Sequence, residues 1–363
     1  MKVAFIIQGE GRGHQTQAVS LAEILINNGH KVSVALVGTS DLNKTSAILN
    51  NCSHFDVVPF LSPSLAYNNK TNALSIKSTV AKSFPKLLQY IRSLKTIRNV
   101  IETHQPDLII NFYDFLGGIY SGFLNRFEIP VICVGHQYLL LNSVFEYPAK
   151  PSIDRFLVNL NSKLTSLKST RKLALSLRKF WSDKNIHTVP PLLRSEIKNQ
   201  EVAYENFTLI YITQASLIYK VIEQCSLFPH ENFEIFVDLK QEMVLPTNLK
   251  VNPISNRLFI ERMAACKGLI STAGFESVCE AMYLSKPVMM VPVKNHYEQL
   301  CNAFDGEVSG AGIFSENLDF IKFFDYLSSG AYKNKNHKKW FDLSEELIMK
   351  ELEMIAKPKL TQV

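Results

Sequence analysis

The sequence predicts an α/β protein of two doubly wound, Rossmann-like domains. Three observations lead to that class. Short, continuous apolar runs rich in β-branched residues recur through both halves of the 363-residue chain, as expected of parallel strands covered on both faces. Stretches with helical apolar spacing separate most of these runs, which is the pattern of βαβ units. Glycine-rich or hydroxyl-rich turns follow several strands just where helices begin, the place where ligands bind in open α/β sheets.

The first forty residues contain one complete unit. Residues 3–7 read as a buried strand, Ala18, Leu21, Ala22 and Leu25 recur at helical spacing, Asn28-Gly29 stops the helix, and residues 31–37 form the next strand. Residues 62–100 read as helical and basic, and residues 108–112 and 131–134 as two further strands. Pro190-Pro191 is the best linker. A second series follows, with strands at 209–212, 233–237, 268–270 and 287–291, helices at 259–265 and 277–283, and a closing amphipathic helix at 340–355.

Composition narrows the class of protein. Apolar residues at 46% and charged residues at 20% suit a soluble globular chain. Six scattered cysteines without a CxxC fit reduced thiols rather than a disulfide framework or a zinc site. The first apolar run is too short for a signal peptide, and no run is long enough to span a bilayer. The expected location is cytoplasmic, with peripheral attachment to the membrane face as a variant of it. The net charge of +6 is uneven: residues 1–190 hold 21 Lys/Arg against 11 Asp/Glu, so the first half carries the excess. Residues 57–101 and 155–182 contain no acid at all. A solvated helical face is the default reading of these windows. An anionic membrane surface comes next, with Phe84, Leu87, Leu88, Tyr90, Ile91, Leu94 and Ile97 supplying apolar contacts. Nucleic acid comes last, for want of a recognition motif.

The chemistry concentrates in residues 271–303. A strand ends in Ser271-Thr272-Ala273-Gly274, and a helix begins near Phe275. A helix N-terminus offers N–H groups and a positive dipole end, which suit phosphate oxygens. Gly274 permits close backbone approach, and Thr272 and Ser277 carry hydroxyls. Glu280 falls on the same helix face as Ser277, where a carboxylate can accept both hydroxyls of a ribose. Glu298 and Gln299 open the following helix and suit the hydroxyls of a sugar. Each alone fits a solvated helix surface; the spacing together favours a nucleotide-diphosphate-sugar pocket.

In the first half, Gly9-Glu10-Gly11-Arg12-Gly13-His14 follows the first strand. The spacing departs from GxGxxG, and the second strand ends Val37-Gly38-Thr39 without a ribose-binding acid, which disfavours a nicotinamide site. His14 is a candidate general base near neutral pH. Asp114, after another strand, could orient its imidazole. A helix-capping or acceptor-touching role for His14 is equally open. Gly11, Gly13, His136 and Gln137 are candidates for the acceptor side. His296 precedes the sugar-reading pair and is either a hydroxyl contact or structural. No DxD, HExxH or GxxxxGK[ST] occurs, so neither a metal nor a cofactor is expected.

The run TAGFESVCEAMYLSKPVMMVPVKNHYEQLCNA, residues 272–303, resembles the donor-site signature of GT-B-type glycosyltransferases. It is similar to the peptidoglycan-lipid N-acetylglucosaminyl transferase and to the UDP-glycosyltransferases of plants and animals. The resemblance implies two Rossmann-like domains with an interdomain cleft: residues 1–190 for the acceptor, 191–340 for the nucleotide sugar, and 341–363 packing back toward the first. It implies donor contacts from Gln214, Phe259, Thr272, Gly274, Phe275, Ser277, Glu280, Glu298 and Gln299, with Glu280 on the ribose and Glu298 and Gln299 on the sugar. The implied reaction is an inverting transfer of a hexosyl or N-acetylhexosaminyl group from a UDP-sugar, a lipid-linked acceptor being one candidate. Two positions depart from the pattern. Thr272 stands where plant and animal enzymes usually carry a phosphate-binding histidine. Gln214-Ala215-Ser216 stands where bacterial relatives have a glycine-rich turn. An epimerase of UDP-N-acetylglucosamine and a nucleotide-sugar-binding module without turnover are the alternatives.

Overall fold

The computed structural model describes residues 1–42, 47–50, 52, 54–63, 84–148, 152–239, 243–332 and 337–356. The chain forms two compact units. One comprises Met1–Phe145, Ala149–Arg194 and Asp342–Val363; the other comprises Glu146–Pro148 and Ser195–Phe341.

The first unit is built on a seven-stranded sheet in the order β3-β2-β1-β4-β5-β6-β7. Its strands are β1 (Lys2–Gln8), β2 (Lys31–Thr39), β3 (Val57–Leu61), β4 (Leu108–Phe112), β5 (Val131–Val134), β6 (Arg171–Leu175) and β7 (Ile186–Val189). Every pairing in it is parallel. Val3 through Ile7 are fully buried, as a strand covered on both faces requires. The second unit has six parallel strands in the order β10-β9-β8-β11-β12-β13. These are β8 (Thr208–Tyr211), β9 (Phe233–Phe236), β10 (Leu249–Asn252), β11 (Gly268–Ser271), β12 (Val288–Met290) and β13 (Gly312–Phe314). Its core joins Ile210, Ile235, Ile270 and Met289 of the sheet to Phe320 and Phe323 of a covering helix.

Both sheets are thus the doubly wound α/β class expected. In each, the strand order reverses at one place: between β1 and β4, and between β8 and β11. A ligand crevice opens at such a reversal, because the connections on its two sides leave in opposite directions. The turns carrying His14, Asp114, Gln214 and Thr272–Gly274 all follow these four strands.

The structure differs from the sequence expectations in two ways. Strands β3, β6, β7, β10 and β13 were not foreseen. The closing helix is interrupted: one short helix ends at Phe341 and Ser344–Ala356 begins anew. The second piece belongs to the first unit. There Ser344 Oγ donates to Pro191 O at 3.0 Å, and Glu351 takes a salt bridge from Arg171 and lies 3.1 Å from His187 Nδ1. Among the described residues, no helix is long and apolar enough to cross a membrane.

Candidate functional site

In the first unit, the turn after β1 is shaped by backbone proximity. Gly9 N donates to Gly38 O at 2.7 Å, and a Cβ on Gly9 would stand 2.5 Å from that oxygen. Only glycine fits there. Gly11 has φ +81 with open space where a Cβ would point, a conformation glycine adopts without strain. Gln15 Nε2 then donates to Gly9 O at 2.6 Å and to Gly11 O at 2.8 Å, which fixes the loop. The loop delivers Gly13 and His14 as the first residues of helix Gly13–Asn27.

His14 is 8% exposed. Its Nδ1 lies 3.3 Å from Gln17 Oε1, its Nε2 lies 3.5 Å from Gln137 Nε2, and its ring stacks on Tyr113 with centroids 5.5 Å apart. His136 Nδ1 donates to Leu175 O at 3.0 Å, which sets its tautomer. The structure therefore brings His14 and Gln137 together at the carboxyl ends of β1 and β5, while the ring of His136 turns to Leu175 of β6. Tyr113 and Gln17 join them, and sequence reasoning named neither. The signal for Gln17 was present in His14-Gln15-Thr16-Gln17, a polar run on a helix whose buried face is apolar beyond it except for Ser20.

Asp114 departs from its expected task. Its Oδ1 accepts from Gly117 N at 2.9 Å and caps helix Phe115–Ile119. The turn before it places Tyr113 at φ +61 and is clamped by Asn111, which accepts from Asp114 N and donates to Asp114 O. Among the described residues the carboxylate's hydrogen-bond partner is the helix, and the imidazole nitrogens face amides. The turn aims the carboxylate at the helix N-terminus, which attracts it.

Burial pushes Asp114 up to about 6, against the smaller opposing pull of the Gly117 amide, nearby Ser62 and the Leu116 amide. Oδ2 is buried without a hydrogen bond of good geometry. Folding raises this pKa, so the folded chain holds the proton more tightly than the unfolded one. The resulting stabilisation is complete below pH 3.8 and is lost as pH rises through 6, a swing of about 3 kcal/mol. Asp114→Asn keeps the cap and cannot ionise. Urea unfolding read by hydrogen exchange in β4 should show the variant gaining on wild type between pH 4 and pH 7.5. A constant difference across that range would show that Asp114 stays ionised throughout.

In the second unit, the turn after β11 repeats the backbone device found after β4. Ala273 has φ +55, Asn302 Nδ2 donates to its carbonyl at 3.2 Å, and the next residue is the N-cap of a helix, Phe275–Tyr283. The difference is chemical. In the first unit the N-cap is an aspartate that fills the helix terminus with its own carboxylate. In the second it is Gly274, which has no side chain to cap with, and a Cβ there would meet nothing closer than Ser277 Oγ at 3.6 Å.

The hydroxyls beside this terminus turn inward. Thr272, 1% exposed, accepts from Thr213 N at 3.1 Å and pairs with Thr213 Oγ1 at 2.9 Å, joining β11 to the turn after β8. Ser277 Oγ donates to Gly274 O at 3.0 Å and lies 3.1 Å from Ser271 Oγ. Glu280 follows one turn later on the same helix and is 3% exposed.

Helix Tyr297–Ser309 is N-capped by His296, whose Nδ1 accepts from Gln299 N at 3.4 Å. That gives His296 a structural task. Gln299 Oε1 accepts from Val293 N at 2.8 Å, bracing the turn after β12 and leaving its amide nitrogen to donate. Glu298 is half-buried beside it. At the ends of β8 and β9, Phe259 packs on Tyr211 at 5.0 Å and on Phe236 at 5.3 Å between ring centroids. Gln214 closes the turn after β8, its carbonyl accepting from Leu217 N at 3.0 Å. Tyr211, Phe236, Thr213 and Asn302 are additions that sequence reasoning missed. Among the described residues, no group of three His, Cys, Asp or Glu side chains could hold a metal ion.

Comparison with known proteins bears on this geometry. The sequence model for "Glycosyl transferase family 1" matches residues 1–329. An uncharacterized glycosyltransferase of Methanosarcina acetivorans is 22% identical over 339 residues, 86% of this chain and 83% of that protein. One from Methanosarcina mazei is 22% identical over 340 residues, covering 86% and 85%. Among solved structures, the fold is similar to Phytolacca americana UGT2, complexed with UDP-2fluoro-glucose and pterostilbene. The TM-score is 0.67 at 14% identity, covering 98% of each chain. It is also similar to CalG4, the calicheamicin glycosyltransferase, with a TM-score of 0.64 at 12% identity, covering 99% of each.

Proposed function

Because the chain belongs to glycosyl transferase family 1 and has the GT-B type of fold, we propose that it moves a hexosyl or N-acetylhexosaminyl group from a UDP-sugar to an acceptor hydroxyl, with inversion and without a metal. The observation that carries the reading is the contrast between the two helix termini. Asp114 caps one with its own carboxylate, and Gly274 brings no side chain to cap the other.

The donor diphosphate would lie against the N–H groups at the start of helix Phe275–Tyr283, where they and the helix dipole stabilise the charge that grows on the leaving group. Glu280 would accept the ribose hydroxyls, and Glu298 with the Gln299 amide would read the sugar. The half-buried Tyr211–Phe259 pair would offer an aromatic ring face to the base. Gly11, Gly13, His136 and Gln137 would bind the acceptor beside His14. His14 would take the acceptor hydroxyl's proton as that oxygen attacks the anomeric carbon and the bond to the diphosphate breaks. Gln17 and Tyr113 hold the imidazole in place for that step. Thr272 acts through position, by tying β8 to β11. Chemistry on a cytoplasmic donor agrees with six cysteines that form no disulfide.

A thermal-shift screen against UDP, GDP, TDP and their common sugars tests the donor half of this reading. Ligand present at 100 times its Kd stabilises a protein by about 2.7 kcal/mol. UDP and at least one UDP-sugar should therefore raise the melting temperature by a few degrees. A flat response to every nucleotide would remove the donor site and the reading with it.

A further inference from the structure

The exposed apolar residues of the first unit are not scattered. Phe84, Leu87, Leu88 and Ile91 are 74%, 53%, 72% and 45% exposed. Their spacing of i, i+3, i+4 and i+7 puts them on one face at the start of helix Leu87–His104. Arg92 and Lys95, both exposed, continue that face toward the helix C-terminus. The opposite face, with Ser93, Ile97 and Ile101, is buried against the unit. Lys86 Nζ donates to Ser40 O at 3.1 Å, so the stripe begins beside the carboxyl end of β2, the edge of the sheet on which His14 sits.

A second stripe repeats the pattern. Ile153, Phe156 and Leu160 are 64%, 59% and 37% exposed at i, i+3 and i+7 on helix Ile153–Leu164, with exposed Lys163 closing the row. That helix also belongs to the carboxyl edge: Tyr113 Oη meets Ser162 Oγ at 2.7 Å, and Asn111 Nδ2 donates to Thr165 O. Trp181, 82% exposed between exposed Lys179 and Lys184, stands in the loop after β6. Solvent-facing apolar rows of this kind are uncommon on a soluble surface unless something covers them.

We propose that these two stripes dock the first unit on an anionic lipid surface. The charge pattern selects that occupant. Apolar residues lead each helix and Lys or Arg follows, which suits side chains that enter the acyl boundary beneath cations at phosphate level. Residues 57–101, which hold the first stripe, contain no acid, and neither do residues 155–182, which hold Phe156, Leu160 and Trp181; Asp154 and Asp183 border that second window. Lys70, Lys77 and Lys82 of the first window lie outside the described residues. The solvated-face reading accounts for the cations but not for Leu88 or Phe156. Docking of this kind places the His14 edge toward the bilayer, so an acceptor hydroxyl carried on a lipid would meet it there.

The test uses the full chain with vesicles of phosphatidylcholine alone or mixed equally with phosphatidylglycerol. Wild type should co-sediment with the mixed vesicles only, and added salt should release it. Leu88→Ser with Ile91→Ser, and separately Phe156→Ser, should each weaken partitioning by about tenfold. Arg92→Glu with Lys95→Glu should weaken it further on the mixed vesicles. All five residues are exposed, so the melting temperature and its shift with UDP should stay at wild-type values. Equal binding to both vesicle types, or no change in any variant, overturns the proposal. So does a lipid-free dimer that the serine variants dissociate, since that would make the stripes a contact between copies.

Discussion

His14→Ala should leave UDP binding at the wild-type level and lower transfer by about a hundredfold to ten-thousandfold, the range over which a positioned base contributes. The reasoning begins with position. His14 is the second residue of its helix, held by a loop that Gln15 ties down through two carbonyls, and its ring is stacked on Tyr113. Gln17 and Gln137, which lie beside its two ring nitrogens, are neutral amides. They hold the imidazole in one orientation beside Tyr113. Alanine would also leave space beside Tyr113, so His14→Gln is the better-packed companion. It keeps a polar group of similar reach and has no basic nitrogen. Both variants should fail alike in turnover of whichever UDP-sugar raises the melting temperature. A glutamine variant within threefold of wild type would show that His14 only touches the acceptor.

Gly274→Asp should stabilise the second unit slightly and abolish donor binding. Gly274 has φ −70 and ψ 131, a conformation open to any residue, and its Cβ position is clear. An aspartate there should cap helix Phe275–Tyr283 as Asp114 caps its own helix, a gain of a few tenths to about 1 kcal/mol. The same carboxylate would occupy the N–H groups offered to the diphosphate and repel it. Hydrogen bonds to a charged group contribute about 1.5–3 kcal/mol each, so losing two weakens UDP by about a hundredfold or more. Gly274→Ala separates charge from bulk and should weaken UDP by less than about tenfold. Isothermal titration with UDP reads both. Retained affinity in the aspartate variant would place the diphosphate elsewhere.

The four edge strands, β3, β7, β10 and β13, show where sequence reasoning lost the fold. An edge strand is paired on one side only and needs no unbroken apolar run. β3 contains Pro59, which an edge tolerates because one row of N–H groups has no partner strand. β10 reads Leu-Lys-Val-Asn, and β13 has three residues. β6 was hidden by Arg171 and Lys172 at its start, inside a window that reads as a basic surface. The central strands were legible because burial on both faces favours apolar residues along most of their length.

The candidate site divides along a similar line. Residue type and spacing alone determined a strand, a glycine turn and a helix start after β1 and after β11, and they singled out His14, Gly274 and Glu280. That much is local, since hydrogen bonding over a few residues decides it. The tertiary structure decided which neighbours each side chain meets. Thr272 and Asp114 have the right chemistry for the roles first expected of them, yet Thr213 engages one and the Gly117 amide the other. Tyr113 and Tyr211 became site residues through their neighbours. A side chain's partner comes from whichever strand lies beside it, and the doubly wound order sets beside β1 and β8 strands that are distant in the chain. The reversal of strand order, which no local pattern records, is therefore what turned two sets of turns into candidate sites.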